Sequence, residues 1–389
     1  MPHYRYLIIG GGMTTEAAIR GIREVDADGP IGVISNEANP FYNRPPLSKG
    51  LWKGAPLSKI WRAPGGVAAS VHLRREAKNI DASKREVVDD DGESYTYEKL
   101  LLATGGRPRK LPFGGEDINY FRTLEDYHRL AKTSGHGKHF AVIGGGFIGS
   151  EVAAALTMAQ SRVTMLFPEE GIGARIYPGD LASFLNGFYD QKGVEVRTGI
   201  SVNGMEKTGE RFRLETDGAP LEVDGVVAGI GILPNVELAE AIGLEIEDGI
   251  VVDEHLRTRD ESIYAAGDVA AFRNPALDMR IRVEHEDNAN MMGKIAGQNM
   301  AGKAVSYDHL PFFYSDMFEL GYEAVGRLDS RLETVSDWKD EFRKGVVYYL
   351  DDGRVRGVLL WNTWDQVDVA RRLIGEKGPF RPEDLKGRI

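Results

Sequence analysis

The strongest constraint on the fold is a segment that occurs twice along the chain. The first copy, YLIIGGGMTTEAA, starts at Tyr6, and the second copy, FAVIGGGFIGSEVA, starts at Phe140. Each copy is an apolar run that leads into three glycines and an alanine-rich stretch, which predicts a buried strand, a tight turn and a helix. Because the copies lie a whole domain apart, they indicate duplicated domains and not a short-period repeat.

The segments that follow each copy predict two doubly wound α/β units. In the first unit, a helix over 16–25 and a strand over 31–35 follow the glycines. A hairpin over 86–97, around an Asp-Gly turn, then precedes a separate buried strand at 100–103. The second unit repeats much of this order, up to a buried strand at 225–230.

The domain order follows from two later segments. The sequence IYAAGDVAAF, which starts at Ile263, predicts a strand that returns to the first unit, so that the second unit is inserted in the first. From about residue 306 the pattern becomes antiparallel, with a strong hairpin in VVYYLDDGRVRGVLLW. We therefore predict an α/β fold with two doubly wound dinucleotide-binding domains and a C-terminal α+β domain. The predicted boundaries are 1–112 and 235–305 for the first domain, 113–234 for the inserted domain and 306–389 for the C-terminal domain.

The first glycine cluster fits the G-x-G-x-x-G/A pattern of dinucleotide-binding turns through Gly10, Gly12 and Thr15. Gly10 permits the turn, Gly12 lets the backbone approach a pyrophosphate, and the helix N-terminus offers free N–H groups. Thr15 is larger than the usual third residue, which predicts a slightly wider spacing of helix and strand. Glycines alone fit a simple tight turn as well, but Glu37 follows the second strand where an acid can bind ribose hydroxyls.

The second cluster fits the same pattern without departure, through Gly144, Gly146 and Gly149. Glu169 again follows the second strand of its unit, where a carboxylate binds a free 2′-hydroxyl and repels a 2′-phosphate. NADH is therefore favoured over NADPH. The adjacent Glu170 is an alternative for this role, and both acids are also compatible with solvated loop positions.

Two dinucleotide sites in one chain favour FAD and NADH as the pair of cofactors. The chain contains no cysteine, which excludes disulfides, thiolate metal sites and redox chemistry through a protein thiol. Its eight histidines are scattered without the spacing of metal ligands, so no metal is expected. The electrons must then leave from the flavin itself.

Charge and hydropathy restrict the partners and the location of the protein. The formal net charge of −11 disfavours a surface built to track nucleic acid or anionic lipid. The longest apolar runs, such as 225–233, are too short to cross a membrane. The N-terminal residues lack the pattern of a signal peptide, and we expect a cytoplasmic protein.

Eight motifs occur in order along nearly the whole chain: PFYNRPPLSKGLW, ATGGRPRKLP, FRTLED, VIGGGFIGSEVAAAL, GILPNVELA, YAAGDVA, VEHEDNA and FFYSD. Together they resemble the FAD-dependent pyridine nucleotide oxidoreductases of the apoptosis-inducing factor and oxygenase-coupled ferredoxin reductase type. LFPEEG, RVEH and LLWN are more similar to apoptosis-inducing factor than to ferredoxin reductase. The resemblance implies the fold and both cofactors.

The resemblance also implies roles around the flavin. Lys49 is expected beside isoalloxazine N5, where an ammonium group stabilises negative charge, and Arg44 at the FAD phosphates or beside the flavin. Glu151 is expected to pair with Lys49 across the domain junction, and Phe147 to stack on the nicotinamide or the flavin. The alternatives are a solvated loop lysine, an acid stabilised by the helix N-terminus and an aromatic core residue.

Further cofactor contacts implied by the resemblance are Thr104, Gly105, Arg109, Ile148, Asp268, Glu284, His285 and Tyr314. Asp268 is expected at the ribitol chain, and Glu284 and His285 near the flavin or the nicotinamide. A structural role fits His285 equally well.

Two departures from ferredoxin reductases fall near the expected exit face of the flavin. Tyr314 stands where tryptophan is usual, and His285 and Glu286 lie in a segment that is usually less charged. A ferredoxin partner is therefore doubtful. The short stretch from 329 to 342 leaves no room for the C-terminal insertion of animal apoptosis-inducing factor, so its cell-death functions are not transferred.

We predict an oxidoreductase that transfers hydride from NADH to FAD and passes electrons to an external acceptor. A ferredoxin-like protein, a quinone and oxygen are the acceptor classes left open. The alternative is an NADH/FAD redox-sensing protein, whose reduced complex controls dimerisation or partner binding with little turnover. A homodimer is a further expectation.

Overall fold

The computed structural model describes residues 1–63, 66 and 68–389. Its contacts divide the chain into two compact units. Unit 1 consists of Met1–Asn43, Leu57–Arg107 and Leu233–Pro311, and unit 2 of Arg44–Pro56, Pro108–Ile232 and Phe312–Ile389. Strands are numbered β1 to β25 and α-helices α1 to α8 in chain order.

A seven-stranded sheet forms the centre of unit 1, in the order β3-β2-β1-β6-β5-β4, with β18 also paired to β6. The strands are β1 (His3–Ile9), β2 (Ile31–Ser35), β3 (Ser70–Leu73), β4 (Ala77–Asp81), β5 (Glu86–Asp89), β6 (Ser94–Leu102) and β18 (Ile263–Ala265). The strand β18 lies parallel to β6, as expected for a chain that returns to its first sheet. One prediction was wrong: the hairpin strand and the buried strand at 100–103 are a single strand, β6.

The long strand β6 keeps β1 as its neighbour on one side and changes its neighbour on the other side, which explains the error. Its first half pairs with β5 as an antiparallel hairpin, and its last three residues are buried between β1 and β18 in a parallel arrangement. An alternating pattern that becomes continuously apolar therefore marks a change of neighbours within one strand, not a break.

Two helices of unit 1, α1 (Met13–Arg23) and α6 (Glu286–Met300), pack closely because glycines face the opposing backbone. A Cβ on Gly293 would collide with the Thr14 carbonyl, and one on Gly297 with the Ala18 carbonyl. The remaining elements of unit 1 are α5 (Glu237–Ala241), β17 (Ile250–Val251), β19 (Ala270–Asn274), β20 (Met279–Ile281) and the 3₁₀ turns Leu57–Ile60 and Gly267–Val269.

Unit 2 contains a parallel five-stranded sheet in the order β11-β10-β9-β15-β8. Its strands are β8 (Ile118–Asn119), β9 (His139–Ile143), β10 (Arg162–Phe167), β11 (Val194–Thr198) and β15 (Gly225–Ala228), with helices α2 (Leu124–Thr133), α3 (Phe147–Met158) and α4 (Gly179–Gln191). An antiparallel sheet is formed by β12 (Val202–Thr208), β13 (Arg211–Thr216) and β14 (Leu221–Val223). Short 3₁₀ turns cover Pro45–Leu47, Gly50–Lys53 and Gly115–Asp117.

The C-terminal part of unit 2 is an antiparallel sheet in the order β21-β22-β25-β24-β23. It comprises β21 (Phe312–Met317), β22 (Leu320–Gly326), β23 (Glu333–Asp340), β24 (Lys344–Asp351), β25 (Arg354–Trp361) and the helices α7 (Val367–Gly375) and α8 (Pro382–Leu385). The predicted Asp-Gly hairpin is the pair β24 and β25. Two short strands, β7 (Gly106–Pro108) and β16 (Ile232–Pro234), lie where the chain passes between the units.

The predicted fold class is confirmed, while the exact domain boundaries stay predictions. Contacts assign Arg44–Pro56 to unit 2, although this loop was predicted within the first domain. Over the described residues, none of the helices combines the length and apolar character needed to span a membrane.

Candidate cofactor and catalytic sites

The first glycine turn, between β1 and α1, has the geometry of a dinucleotide site. Gly10 has φ +126°, and a Cβ there would collide with the Ala103 carbonyl. Gly12 begins α1 with extended backbone and without a side-chain cap, and a Cβ at Gly12 would meet only open space. An uncapped helix N-terminus beside open space suits the pyrophosphate of FAD.

Thr15 replaces a close glycine contact with a hydrogen bond. At the equivalent position of the second turn, a Cβ on Gly149 would collide with the Gly144 carbonyl. Thr15 carries such a Cβ, and its buried hydroxyl instead donates to the Gly10 carbonyl at 2.8 Å. The wider spacing of helix and strand expected from the larger residue stays a prediction.

Glu37 follows β2, as its proposed ribose-binding role requires. The Tyr42 hydroxyl donates to Glu37 Oε2 at 2.7 Å, and the Glu37 backbone N–H donates to Ser35 Oγ at 3.2 Å. Both contacts orient the acid at the carboxyl end of the strand.

Asp268, Glu284 and His285 belong to the returning part of unit 1. Asp268 lies in a 3₁₀ turn, Arg282 Nη1 donates to Glu284 Oε1 at 2.6 Å, and His285 precedes the first turn of α6. Burial lowers the pKa of His285 to about 4, against the opposing effect of the Asp268 and Asp287 carboxylates. The imidazole is therefore neutral at pH 7 and able to donate or accept a hydrogen bond.

Thr104 and Gly105 hold the returning chain in unit 1. Thr104 Oγ1 donates to the Asn235 carbonyl at 2.7 Å, and the Asn235 side chain and backbone donate to the Thr104 and Gly105 carbonyls. Arg109, predicted alongside them, is exposed and belongs to unit 2. Arg44 also lies in unit 2, where its Nη1 donates to the Arg122 carbonyl at 3.0 Å.

The second glycine turn repeats the first. Gly144 has φ +109° where a Cβ would collide with the Gly229 carbonyl. Gly146 begins α3 without a side-chain cap and faces open space, as Gly12 does in unit 1. Ile148 is half-buried in the first turn of α3. This geometry fits the pyrophosphate of NADH.

Glu169 is distinguished from Glu170 by its neighbours. Glu169 Oε1 lies 2.6 Å from Arg175 Nη2, with a second contact from Arg175 Nε at 2.9 Å, whereas the Glu170 side chain is exposed. Arg175 was not predicted from the sequence. It orients the acid, but it also places an exposed cation next to the site that is expected to distinguish NADH from NADPH.

Lys49 and Glu151 form the predicted ion pair. The pair was expected across a domain junction, but contacts assign both residues to unit 2. Lys49 Nζ lies 2.7 Å from Glu151 Oε1, and both side chains are largely buried. The Ser315 hydroxyl donates to the same oxygen at 2.6 Å, and the Ser48 hydroxyl donates to Oε2 at 2.6 Å. A buried carboxylate with these partners keeps the ammonium group of Lys49 in one place.

Aromatic side chains lie close to Lys49 in space and one helical turn before Glu151. Lys49 Nζ lies 5.3 Å from the ring centre of Tyr314. Phe147, at the start of α3, is 38 % exposed and packs edge-on against Phe313 at 5.2 Å between ring centres. An exposed ring at this position suits stacking on a nicotinamide or a flavin, and it is not the fully buried core residue of the alternative interpretation.

Two buried phenols that feel the charge of Glu151 are neutral. Tyr177 and Tyr322 pack edge-on at 5.8 Å, and burial raises the pKa of both, with the negative charge of Glu151 acting in the same direction. They therefore add no second negative charge next to Glu151.

A second ionic cluster, in unit 1, was also missed by sequence reasoning. Arg62 donates from Nε and Nη2 to Glu16 Oε2 at 2.9 and 2.7 Å, and from Nη1 to Asn43 Oδ1 at 2.7 Å. A sequence signal for this cluster was available, because Glu16 directly follows Thr15 in the first turn of a predicted helix.

Ser48 and Ser315 were also missed. Each adjoins a predicted site residue in sequence, but only the fold places them on Glu151. Among the described residues, no group of three acids or histidines is arranged to hold a metal ion.

Two dinucleotide turns and a buried lysine–glutamate pair define an FAD- and pyridine-nucleotide-dependent oxidoreductase. Residues 4–293 match the family model described as pyridine nucleotide-disulphide oxidoreductase. Segments 296–339 and 336–376 match the C-terminal model of mitochondrion-associated apoptosis-inducing factor. The chain belongs to the pyridine nucleotide-disulphide oxidoreductase family.

Individual relatives are similar over most of their length. Apoptosis-inducing factor 1, mitochondrial, of Dictyostelium discoideum is 34% identical over 416 residues, covering 95% of this chain and 78% of the relative. Putidaredoxin reductase CamA of Pseudomonas putida is 31% identical over 394 residues, covering 97% and 93%. Monodehydroascorbate reductase 3 of Arabidopsis thaliana is 34% identical over 395 residues, covering 92% and 89%.

A crystal structure of the covalent putidaredoxin reductase–putidaredoxin complex has a TM-score of 0.91 and 30% identity, covering 98% of this chain and 95% of the other. These similarities confirm the predicted family, the enzyme class, and FAD and NADH as the cofactors.

Proposed function

We propose that this chain oxidises NADH with bound FAD and delivers the electrons from the flavin directly to an external acceptor. The observation that carries this proposal is the buried Lys49–Glu151 pair, with the exposed ring of Phe147 one helical turn before Glu151, in a chain without cysteine. Without a thiol, the disulphide chemistry in the family's name has no protein group to pass through.

When bound, FAD accepts a hydride from NADH and releases electrons singly or in pairs. The chain's own residues bind and orient. The open N-termini of α1 and α3 bind the two pyrophosphates, and Phe147 provides a flat apolar surface that keeps the nicotinamide in place. Lys49, fixed by Glu151, supplies a positive charge.

The preference for NADH rests on Glu169. Its carboxylate follows β10, where it is placed to accept hydrogen bonds from the free 2′-hydroxyl of the adenosine ribose. The pairing with Arg175 weakens its repulsion of a 2′-phosphate, and we therefore propose a moderate preference rather than an absolute one.

The decisive experiment is an anaerobic titration of the FAD-loaded protein with NADH and, separately, with NADPH. Bleaching of the flavin absorbance by one equivalent of NADH is the expected result. An unchanged flavin spectrum would contradict the proposed function.

An acceptor panel follows the titration. The similar putidaredoxin reductase was crystallised with putidaredoxin, and another relative is a monodehydroascorbate reductase. A [2Fe–2S] protein, a quinone, monodehydroascorbate and oxygen are therefore compared at equal NADH concentration. The acceptor with the highest kcat/KM identifies the class of the physiological partner.

A redox-sensing protein is the second candidate function, because the C-terminal segments match the apoptosis-inducing factor model. Slow turnover with every acceptor, a long-lived reduced complex and an NADH-dependent change in mass by sedimentation would favour it. A homodimer is tested in the same sedimentation experiment, and a cytoplasmic location by cell fractionation.

A further inference from the structure

The carboxylate of Glu151 is held by two serine hydroxyls as well as by Lys49. Ser315 shares Oε1 with Lys49, and Ser48 occupies Oε2, both at 2.6 Å. Ser48, Ser315 and Glu151 are all buried. They come from the loop before Gly50–Lys53, from β21 and from α3, so three separate segments of unit 2 meet at one carboxylate.

This arrangement offsets the free-energy cost of burying a charged carboxylate. A buried ion pair recovers its desolvation cost only when its geometry is good and its remaining lone pairs are hydrogen-bonded. Here each carboxylate oxygen accepts a hydroxyl, so rotation of the Glu151 carboxylate would break hydrogen bonds at both oxygens. The orientation of the carboxylate, and with it the position of Lys49 Nζ, is therefore fixed.

The strand β21 contributes twice to the position of this cation. Ser315 binds the carboxylate that pairs with Lys49, and the adjacent Tyr314 lies 5.3 Å from Lys49 Nζ. The C-terminal sheet thus takes part in the electrostatics of the predicted flavin site through a single edge strand.

We propose that Ser48 and Ser315 are positioning residues, which hold Glu151 so that Lys49 stays where it stabilises reduced FAD. The inference rests on the proposed function, because it assigns these serines to the same lysine. A hydroxyl with a merely structural role would affect folding but not the midpoint potential of the bound FAD.

The first test is the midpoint potential of bound FAD in Ser48→Ala and Ser315→Ala, measured against a reference dye with dithionite as reductant. We expect each variant to shift the balance toward oxidised FAD by about tenfold, which corresponds to about 30 mV for a two-electron couple. Ser315→Thr keeps a hydroxyl and is expected to retain the wild-type potential. Ser161→Ala is the control, since Ser161 is buried and its hydroxyl bonds only the Gly135 backbone among the contacts described.

The second test is a double-mutant cycle with Glu151→Gln. If the serines act through Glu151, Ser315→Ala changes the potential far less in the Glu151→Gln background than in the wild type. Additive effects would overturn the proposal, because they would mean that Ser315 acts independently of the acid.

A third measurement is mass spectrometry of Lys49 after limited acetylation of the FAD-loaded protein. Faster labelling of Lys49 in the serine variants, by several-fold over Ser161→Ala, supports the proposal, and unchanged labelling together with an unchanged potential overturns it. Ser48 lies in a loop, so Ser48→Ala provides the test if Ser315→Ala fails to fold. Because dithionite and not NADH reduces the flavin in the first test, the midpoint potential can be measured even if the protein does not oxidise NADH.

Discussion

At the residue scale, the Glu151 carboxylate owes its geometry to side chains far apart in the sequence. Lys49 and Ser48 reach it from one loop and Ser315 from a C-terminal strand. Motif resemblance predicted the pair of Lys49 and Glu151, but no spacing rule relates Ser315 to either residue. The serines could be found only from the folded chain.

Removing the Lys49 ammonium group alone should lower the free energy of unfolding. Lys49→Met leaves the buried Glu151 without its counter-charge, and we expect the free energy of unfolding in urea to fall by about 3–5 kcal/mol. Adding Glu151→Gln to Lys49→Met should recover most of this loss. Lys53→Met is the control, because its side chain is 43% exposed and its ion pair contributes little. Equal losses for Lys49→Met and Lys53→Met would contradict this expectation.

The nucleotide preference should depend on Glu169. In Glu169→Ala, Arg175 loses its partner and becomes available to a 2′-phosphate, so the ratio of NADH to NADPH affinity should fall by about tenfold, or about 1.4 kcal/mol. Dissociation constants from fluorescence titration of both nucleotides measure this ratio. Glu170→Ala should leave it unchanged, and an effect at Glu170 as large as at Glu169 would reassign the ribose-binding acid.

His285 should make the protein sensitive to acid. Its pKa in the folded state, about 4, lies below the ordinary value of 6.5, so the unfolded chain binds the proton more readily. The stability from the neutral imidazole is complete above pH 6.5 and is lost as the pH falls toward 4. His285→Asn should therefore flatten the decline in unfolding free energy between pH 7 and 4.5, measured in urea. The same substitution at the exposed His136 should not, and a parallel decline in both variants would contradict the assignment.

At the scale of elements, two glycines of the turn between β9 and α3 differ in role, one in packing and the other in nucleotide binding. Gly149 packs on the Gly144 carbonyl, whereas Gly146 faces open space at the start of α3. The sequence pattern predicted both turns and gave the second position an approach to a pyrophosphate and the third a role in helix–strand packing. Their different surroundings give them different tasks.

These surroundings predict opposite outcomes for two alanine substitutions. Gly149→Ala forces α3 away from the β9 turn and should lower the free energy of unfolding by about 1–3 kcal/mol. Gly146→Ala should keep the stability and weaken NADH binding, because its methyl group enters the space for the pyrophosphate. Thermal melting and NADH titration of both variants test this. A stable Gly149→Ala protein with normal NADH affinity would refute the packing argument.

At the scale of the whole molecule, one chain leaves unit 1 after Arg107 and returns at Leu233. The duplicated motif and the returning strand at Ile263 made this insertion predictable, since a parallel strand needs a crossover from elsewhere in the chain. The assignment of Arg44–Pro56 to unit 2 was not predictable, because it depends on tertiary contacts.

The net charge of the protein should affect kcat/KM for charged protein acceptors. With a net charge of −11, the protein repels an acidic ferredoxin at long range. We expect kcat/KM for an acidic [2Fe–2S] protein to rise as ionic strength increases from about 0.01 to 0.15 M, because salt screens the repulsion. A neutral quinone should show no such dependence. A fall with salt for the ferredoxin would instead reveal a local basic docking patch.

The sequence by itself determined the two nucleotide-binding units, their nested order, the cofactors and the absence of thiol chemistry. Local patterns suffice for these properties, because a strand, a glycine turn and a helix occupy one continuous segment. The tertiary structure alone decided which hydroxyls hold Glu151, that Arg175 pairs with Glu169, and that β6 is one strand. The serine contacts join residues that are distant along the chain. The pairing of Arg175 with Glu169 and the length of β6 are more local, but they depend on how the chain folds back and on which strands pack beside it.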